Sequence, residues 1–171
     1  MTLQNILENF PSYAKDIKLN LSSLLQNNTL LSEQQFYGNL LVSAYASKNK
    51  VLTEAIFELC KDKLSENAIE AVKAAAALMA MNNIYYRFTH LSSNEDYAKM
   101  PANLRMSVMA NPGIDKNDFE LFSLAVSIIN GCGKCIDAHE KVLLTHGMSK
   151  DKIQQTARIA SIVHAAGFVV S

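Results

Sequence analysis

Proline occurs at only three positions, 11, 101 and 112, and glycine is nearly as sparse, with six in 171 residues. The two residues that most often interrupt helices are thus missing from long stretches rich in Ala, Leu, Met, Lys and Glu. Val, Ile and Thr never gather into the alternating runs that mark strands. The chain is therefore expected to be all-α. Helices are predicted over about 13–26, 33–47, 50–62, 66–90, 94–99, 103–110, 117–130, 132–146 and 149–169. Ser65 before Glu66 and Ser149 before Lys150 are good N-caps. Gly147 stands where a helix end needs a left-handed residue. Pro101 and Asn111-Pro112-Gly113 mark breaks around a short connection.

With 49% hydrophobic and 19% charged residues, the chain can build a real core. Sixteen basic residues balance sixteen acidic ones, and no basic patch or aromatic-basic run points to nucleic acid. Met1 to Phe10 lacks the basic-then-apolar pattern of a signal peptide. No apolar run reaches the ~18 residues of a membrane span. The expectation is a cytoplasmic protein that engages neither membrane nor nucleic acid.

A faint internal repeat is present. Phe36 to Ile56 aligns with Phe119 to His139 at an offset of 83 residues. One extra residue brings Ser65–Ala76 onto Ser149–Ala160. The reading is one domain over 1–171, with a scaffold half at 33–90 and a catalytic half at 117–170. The first half carries Asn49 and Leu52 where the second carries Cys132 and Cys135. Cys60 falls opposite Leu143, a core-type position, and reads as a buried apolar residue.

The chemistry concentrates in Asn130-Gly131-Cys132-Gly133-Lys134-Cys135-Ile136-Asp137-Ala138-His139. Asn-Gly ends one helix, and the two cysteines fall at the start of the next. Unpaired N–H groups and the positive end of the helix dipole favour a thiolate there. Cysteines three apart share a face and can close a disulfide with modest adjustment. His139 lies one turn beyond Cys135, placed to take its proton or to stabilise its thiolate. This makes Cys135 the candidate nucleophile, Cys132 its resolving partner and His139 the base. On the preceding helix, Glu120, Ser123 and Ser127 form a polar stripe on an otherwise apolar surface. A carboxylate there needs a partner, and Glu120 facing His139 would complete a proton relay.

Other readings of the same residues stay open. Cys132, Cys135, His139 and His146 give a C-x2-C-x3-H-x6-H spacing that could hold zinc, although one straight helix surrounds a tetrahedral ion poorly. The Glu120 stripe could be the wet face of an amphipathic helix. His90 and His164 are explained by a helix end and by core packing, and the methionines by gap filling. The Gly131-x-Gly133 element follows a helix and so is no dinucleotide loop.

Several segments taken together resemble the alkyl hydroperoxide reductase AhpD family, within the carboxymuconolactone decarboxylase-like superfamily. They are Met100-Pro101-Ala102-Asn103-Leu104-Arg105-Met106, Ala110-Asn111-Pro112-Gly113, Asp118-Phe119-Glu120-Leu121, Ala125-Val126-Ser127 and Ile129-Asn130-Gly131-Cys132. A glutamate twelve residues before C-x-x-C, with histidine four beyond, is far more specific than C-x-x-C alone. The resemblance implies a helical fold of two related halves, assembled as a homotrimer. It implies reduction of organic hydroperoxides and of the oxidised peroxiredoxin AhpC through a mixed disulfide on Cys135. Electrons would come from an external dihydrolipoyl protein, with no cofactor or metal bound. It also implies that Cys135 forms the sulfenic acid, that Cys132 is its disulfide partner and proton donor, and that His139 and Glu120 form the relay. Lys134 stands where the family often has a histidine. Two functional alternatives remain beside this one: a decarboxylase-like enzyme using His139 and Glu120 without the cysteines, and a non-enzymatic thiol sensor or metal scaffold.

Overall fold

Most helices of the core start where a short polar side chain satisfies a first free N–H group, as Ser32, Asn49, Ser65, Asp115 and Ser149 do. The computed structural model describes residues 2–170. The domain expectation of 1–171 therefore includes two positions, Met1 and Ser171, that lie outside the described residues. The helices are α1 Leu3–Glu8, α2 Lys15–Gln26, α3 Glu33–Ser47, α4 Lys50–Cys60, α5 Glu66–Leu91, α6 Asp96–Lys99, α7 Lys116–Ile129, α8 Gly133–Thr145 and α9 Lys150–Val169. No strand occurs among the described residues. Ser65 and Ser149 cap α5 and α9 as expected, accepting from Ala68 N–H and Lys152 N–H. Ser32 caps α3 in a reciprocal capping box with Gln35.

Two segments differ from expectation. Helix α1 lies outside the expected helices, because six residues carry too little periodicity to register. The helix expected over 103–110 reduces to a single 3-10 turn at Ser107–Met109. Pro101 and the left-handed Asn103, at φ 52°, hold the chain out of helix there.

Helices α3 and α7 form the centre. They pack on each other, and each also packs on both long helices, α5 and α9. The short helix after each, α4 after α3 and α8 after α7, folds back on its predecessor. The starts of α3 and α4 precede those of α7 and α8 by 83 residues, and α5 precedes α9 by 84. Asp118, buried at the start of α7, ties the two central helices by accepting from Gln34 Nε2 at 2.7 Å and Gln35 Nε2 at 2.8 Å.

The α3–α7 crossing depends on Gly38. A β-carbon placed there would lie 2.1 Å from Phe122 Cζ, so the buried ring sits directly against the backbone of α3. Cys60 is fully buried at the end of α4, its thiol 3.6 Å from the carbonyl of Tyr37. Burial pushes this thiol up to about 12. Among the described residues no helix is long and apolar enough to cross a membrane.

In a helix interior, Gly→Ala ordinarily gains ~0.5–1 kcal/mol. At Gly38 the steric conflict, of order 1–3 kcal/mol, dominates, so Gly38→Ala should lower the urea midpoint. Adding Phe122→Leu should make the double variant less unstable than the two separate losses combined. Iodoacetamide at pH 8 should leave Cys60 unmodified in the native protein and label it in denaturant; peptide mass mapping distinguishes the two.

Candidate active site

The site is built on the turn that ends α7. Asn130 closes that helix, and Gly131 follows in the left-handed region at φ 66°. This turn is held to α5 from three directions. Arg87 donates to the carbonyl of Asn130. The Asn130 side chain donates to Asn83 Oδ1 at 3.0 Å, and Asn83 Nδ2 donates to Ser127 Oγ at 2.9 Å. The Cys132 N–H then donates to the carbonyl of Ser127. Cys132 therefore leaves the turn in a fixed direction, fully buried.

Cys132 is the N-cap residue of α8 and stands just outside the helix, while Cys135 lies in its first turn. No side chain caps this end. At the matching position in the first half, the Asn49 side chain accepts from Leu52 N–H at 2.9 Å and closes α4. Replacing that amide with sulfur leaves the first N–H groups of α8 for whatever negative charge the cysteines carry. Here the two sulfurs are joined in a disulfide, with Cα atoms 5.3 Å apart. Cys135 is 6% exposed and Cys132 not at all, so an attacking group reaches the pair through Cys135.

His139 lies one turn along α8 and is 5% exposed. Its Nδ1 is 2.6 Å from Glu120 Oε2 of α7. An ionised carboxylate only accepts, so this bond puts a proton on Nδ1 and leaves Nε2 as the second, uncommitted nitrogen. The polar stripe on α7 is not a wet face. Ser123 and Ser127 are completely buried, and the Glu120 side chain keeps 14% of its exposure.

Cys135 and His139 open into a hollow of about 230 Å³ between α5, α8 and the 3-10 turn. Its walls are mostly apolar: Met79, Met106, Met109, Ala138 and Tyr86, with Asn82 and Lys134. The Lys134 ammonium lies 5.4 Å from the centre of the Tyr86 ring, a cation–π contact at the rim.

The zinc arrangement is not assembled. His146 caps the far end of α8, with Nδ1 2.8 Å from Asn117 Oδ1. Among the described residues no group of three or more His, Cys, Asp or Glu side chains is placed to hold a metal ion. His90 is exposed in the last turn of α5, and the His164 ring packs edge-on against Phe168.

Sequence reasoning missed the α5 contribution. Met79, Asn82, Asn83 and Tyr86 fall at helical spacing on one face, yet a methionine reads as gap filling and an asparagine in a long helix carries no motif. The available signal was two adjacent amides within an otherwise apolar and small-residue run.

The model of the carboxymuconolactone decarboxylase family matches residues 95–168, which include Glu120, both cysteines and His139. The chain is 54% identical over 170 residues to "Alkyl hydroperoxide reductase AhpD" of Acidobacterium capsulatum, covering 99% of this chain and 93% of that one. The protein of the same name from Rhizorhabdus wittichii is 54% identical, with 99% and 97% covered. That from Rhodopseudomonas palustris is 56% identical, with 96% and 91% covered. Identity at this level over essentially the whole length, on a helical chain with its C-x-x-C at a helix start, means that the chain belongs to the alkyl hydroperoxide reductase AhpD family.

Proposed function

We propose that this protein is an antioxidant thiol peroxidase that reduces alkyl hydroperoxides through a Cys132/Cys135 dithiol–disulfide cycle. The observation that carries the reading is the inner geometry of the hollow. The one slightly exposed sulfur, Cys135, shares it with a histidine whose other nitrogen is bonded to a half-buried carboxylate. The names of its relatives support the same activity.

In the reduced protein, His139 Nε2 takes the Cys135 proton, while Glu120 holds the ring and stabilises the imidazolium. The thiolate attacks the terminal oxygen of the hydroperoxide. The O–O bond breaks, a sulfenic acid forms on Cys135, and the alcohol leaves with a proton supplied by His139 or Cys132. Cys132 then attacks the Cys135 sulfur, releasing water and closing the disulfide. An external dihydrolipoyl group, attacking at Cys135, restores the dithiol and is itself oxidised to the cyclic disulfide. The oxidised peroxiredoxin AhpC is reduced by the same pair: Cys135 forms a mixed disulfide with it, and Cys132 resolves that bond. The organisation proposed with this cycle is one domain, 33–90 as scaffold half and 117–170 as catalytic half, assembled as a cytoplasmic homotrimer.

Cys135→Ser should abolish peroxide consumption driven by dihydrolipoamide. His139→Gln should lower it by about 10²–10⁴-fold, the usual worth of a positioned acid–base group. Glu120→Gln should cost less, because it removes orientation and charge but leaves the imidazole. Turnover that survives Cys132→Ser/Cys135→Ser would instead support acid–base chemistry by His139 and Glu120 on a carbon substrate.

A further inference from the structure

Two consecutive amides of α5 are buried next to the site, and they differ in one respect. Asn83 is satisfied at both ends, donating to Ser127 and accepting from Asn130. Asn82 is 4% exposed and lines the hollow beside Cys135 and His139, yet its Oδ1 has no hydrogen-bond partner. Its Nδ2 donates only to the thioether of Met106, at 3.0 Å. A thioether is a weak acceptor and cannot donate, so the amide can present only its N–H to Met106. Leaving a buried carbonyl unpaired costs about 1–3 kcal/mol. Apart from the reacting pair, Lys134 at the rim and Tyr86, Asn82 is the polar side chain of the hollow; the remaining walls are methionine and alanine.

A hydroperoxide group offers a complementary pair of functions. Its terminal O–H is a donor, and the adjacent oxygen, bonded to carbon, is an acceptor. A carboxamide offers an acceptor and a donor side by side. We propose that Asn82 binds the hydroperoxide group of the substrate, with Oδ1 accepting from the terminal O–H and Nδ2 donating to the carbon-bound oxygen. The inference rests on the peroxidase reading above. Met106 accepts from Nδ2 where that second oxygen would lie, and its unbranched side chain swings aside when a better acceptor arrives. The amide fixes the O–O axis relative to Cys135. When the thiolate attacks the terminal oxygen and the O–O bond breaks, negative charge develops on the carbon-bound oxygen. The Nδ2–H then stabilises a charge that is absent from the starting peroxide. The proton that completes the alcohol still comes from His139 or Cys132, so Asn82 gains and loses none. The terminal oxygen stays on sulfur as the sulfenic acid, with its O–H still held by Oδ1.

The role is specific to peroxide and separates from thiol–disulfide exchange. The test uses the full-length protein, pre-reduced, mixed with tert-butyl hydroperoxide, and follows loss of the two thiols. In parallel, the oxidised protein is reduced with dihydrolipoamide. Asn82→Leu should slow the peroxide reaction by about 10²-fold, the scale of losing one preorganised donor. It should leave reduction by dihydrolipoamide within about twofold of wild type, since the amide takes no part in exchange at sulfur. Met106→Leu, which leaves Asn82 in place and frees its N–H, should keep or raise the peroxide rate. If Asn82→Leu does not fold, Asn82→Ala reads the same two rates. Equal loss of both rates would assign Asn82 a structural role and overturn the proposal. So would an unchanged peroxide rate, or a Met106→Leu protein as impaired as the Asn82 variants. A wild-type protein inert to the peroxide would instead sink the peroxidase reading and this inference with it.

Discussion

The absence of a side chain at Gly38 sets the distance between the two central helices, and much of the molecule is referenced to that contact. Phe122 fills the space with its ring against the backbone of α3. Glu120, two residues earlier and so on a nearly opposite face of α7, is turned toward α8 and meets His139. One helix therefore carries both this packing contact and the carboxylate that meets His139. Moving α7 outward to accommodate a β-carbon would also move Glu120. Asp118 reinforces the arrangement by binding Gln34 and Gln35 at the same end.

The two halves follow matching backbone but differ at the cap that carries the first cysteine. Lys48 and Gly131 both stand in left-handed conformation after a central helix, at φ 58° and 66°. Asn49 and Cys132 both occupy the N-cap that follows. In the first half the amide closes α4 and reaches across to the carbonyls of Gly167 and Val170. In the second half the sulfur closes nothing, and the turn is held instead from outside by Arg87 and Asn83. Rigidity has moved from the cap itself to the neighbouring helix.

Much of this was legible in the chain. The core helix boundaries follow from Ser65, Ser149, Gly147 and the scarcity of breakers, because capping is a local property of one or two side chains. The line of Cys132, Cys135 and His139 was legible for the same reason, being set by spacing along one helix. The Glu120–His139 contact was legible only as a need, a carboxylate on an apolar helix requiring a partner. Asn82, Met106 and Tyr86 were not legible. They come from α5 and from the irregular chain after α6, and what joins them to Cys135 is the packing of distant segments, which leaves no periodic mark. The false helix over 103–110 has a related cause. Propensity alone favoured it, and the backbone preference of Pro101 and the left-handed Asn103 overrode it.

The bare cap of α8 also ties the oxidation state of the pair to the stability of a helix. In the disulfide the sulfurs carry no net charge, and the first-turn N–H groups gain little from them. In the dithiol form a thiolate at the same place answers both those groups and the helix dipole. The protein thus favours its electron-loaded state by whatever the helix end gains on meeting that charge. For a two-electron couple, about 1.4 kcal/mol of such preference raises the reduction potential by about 30 mV. A residue that withholds a cap therefore acts as a setting on the oxidising strength of its own disulfide.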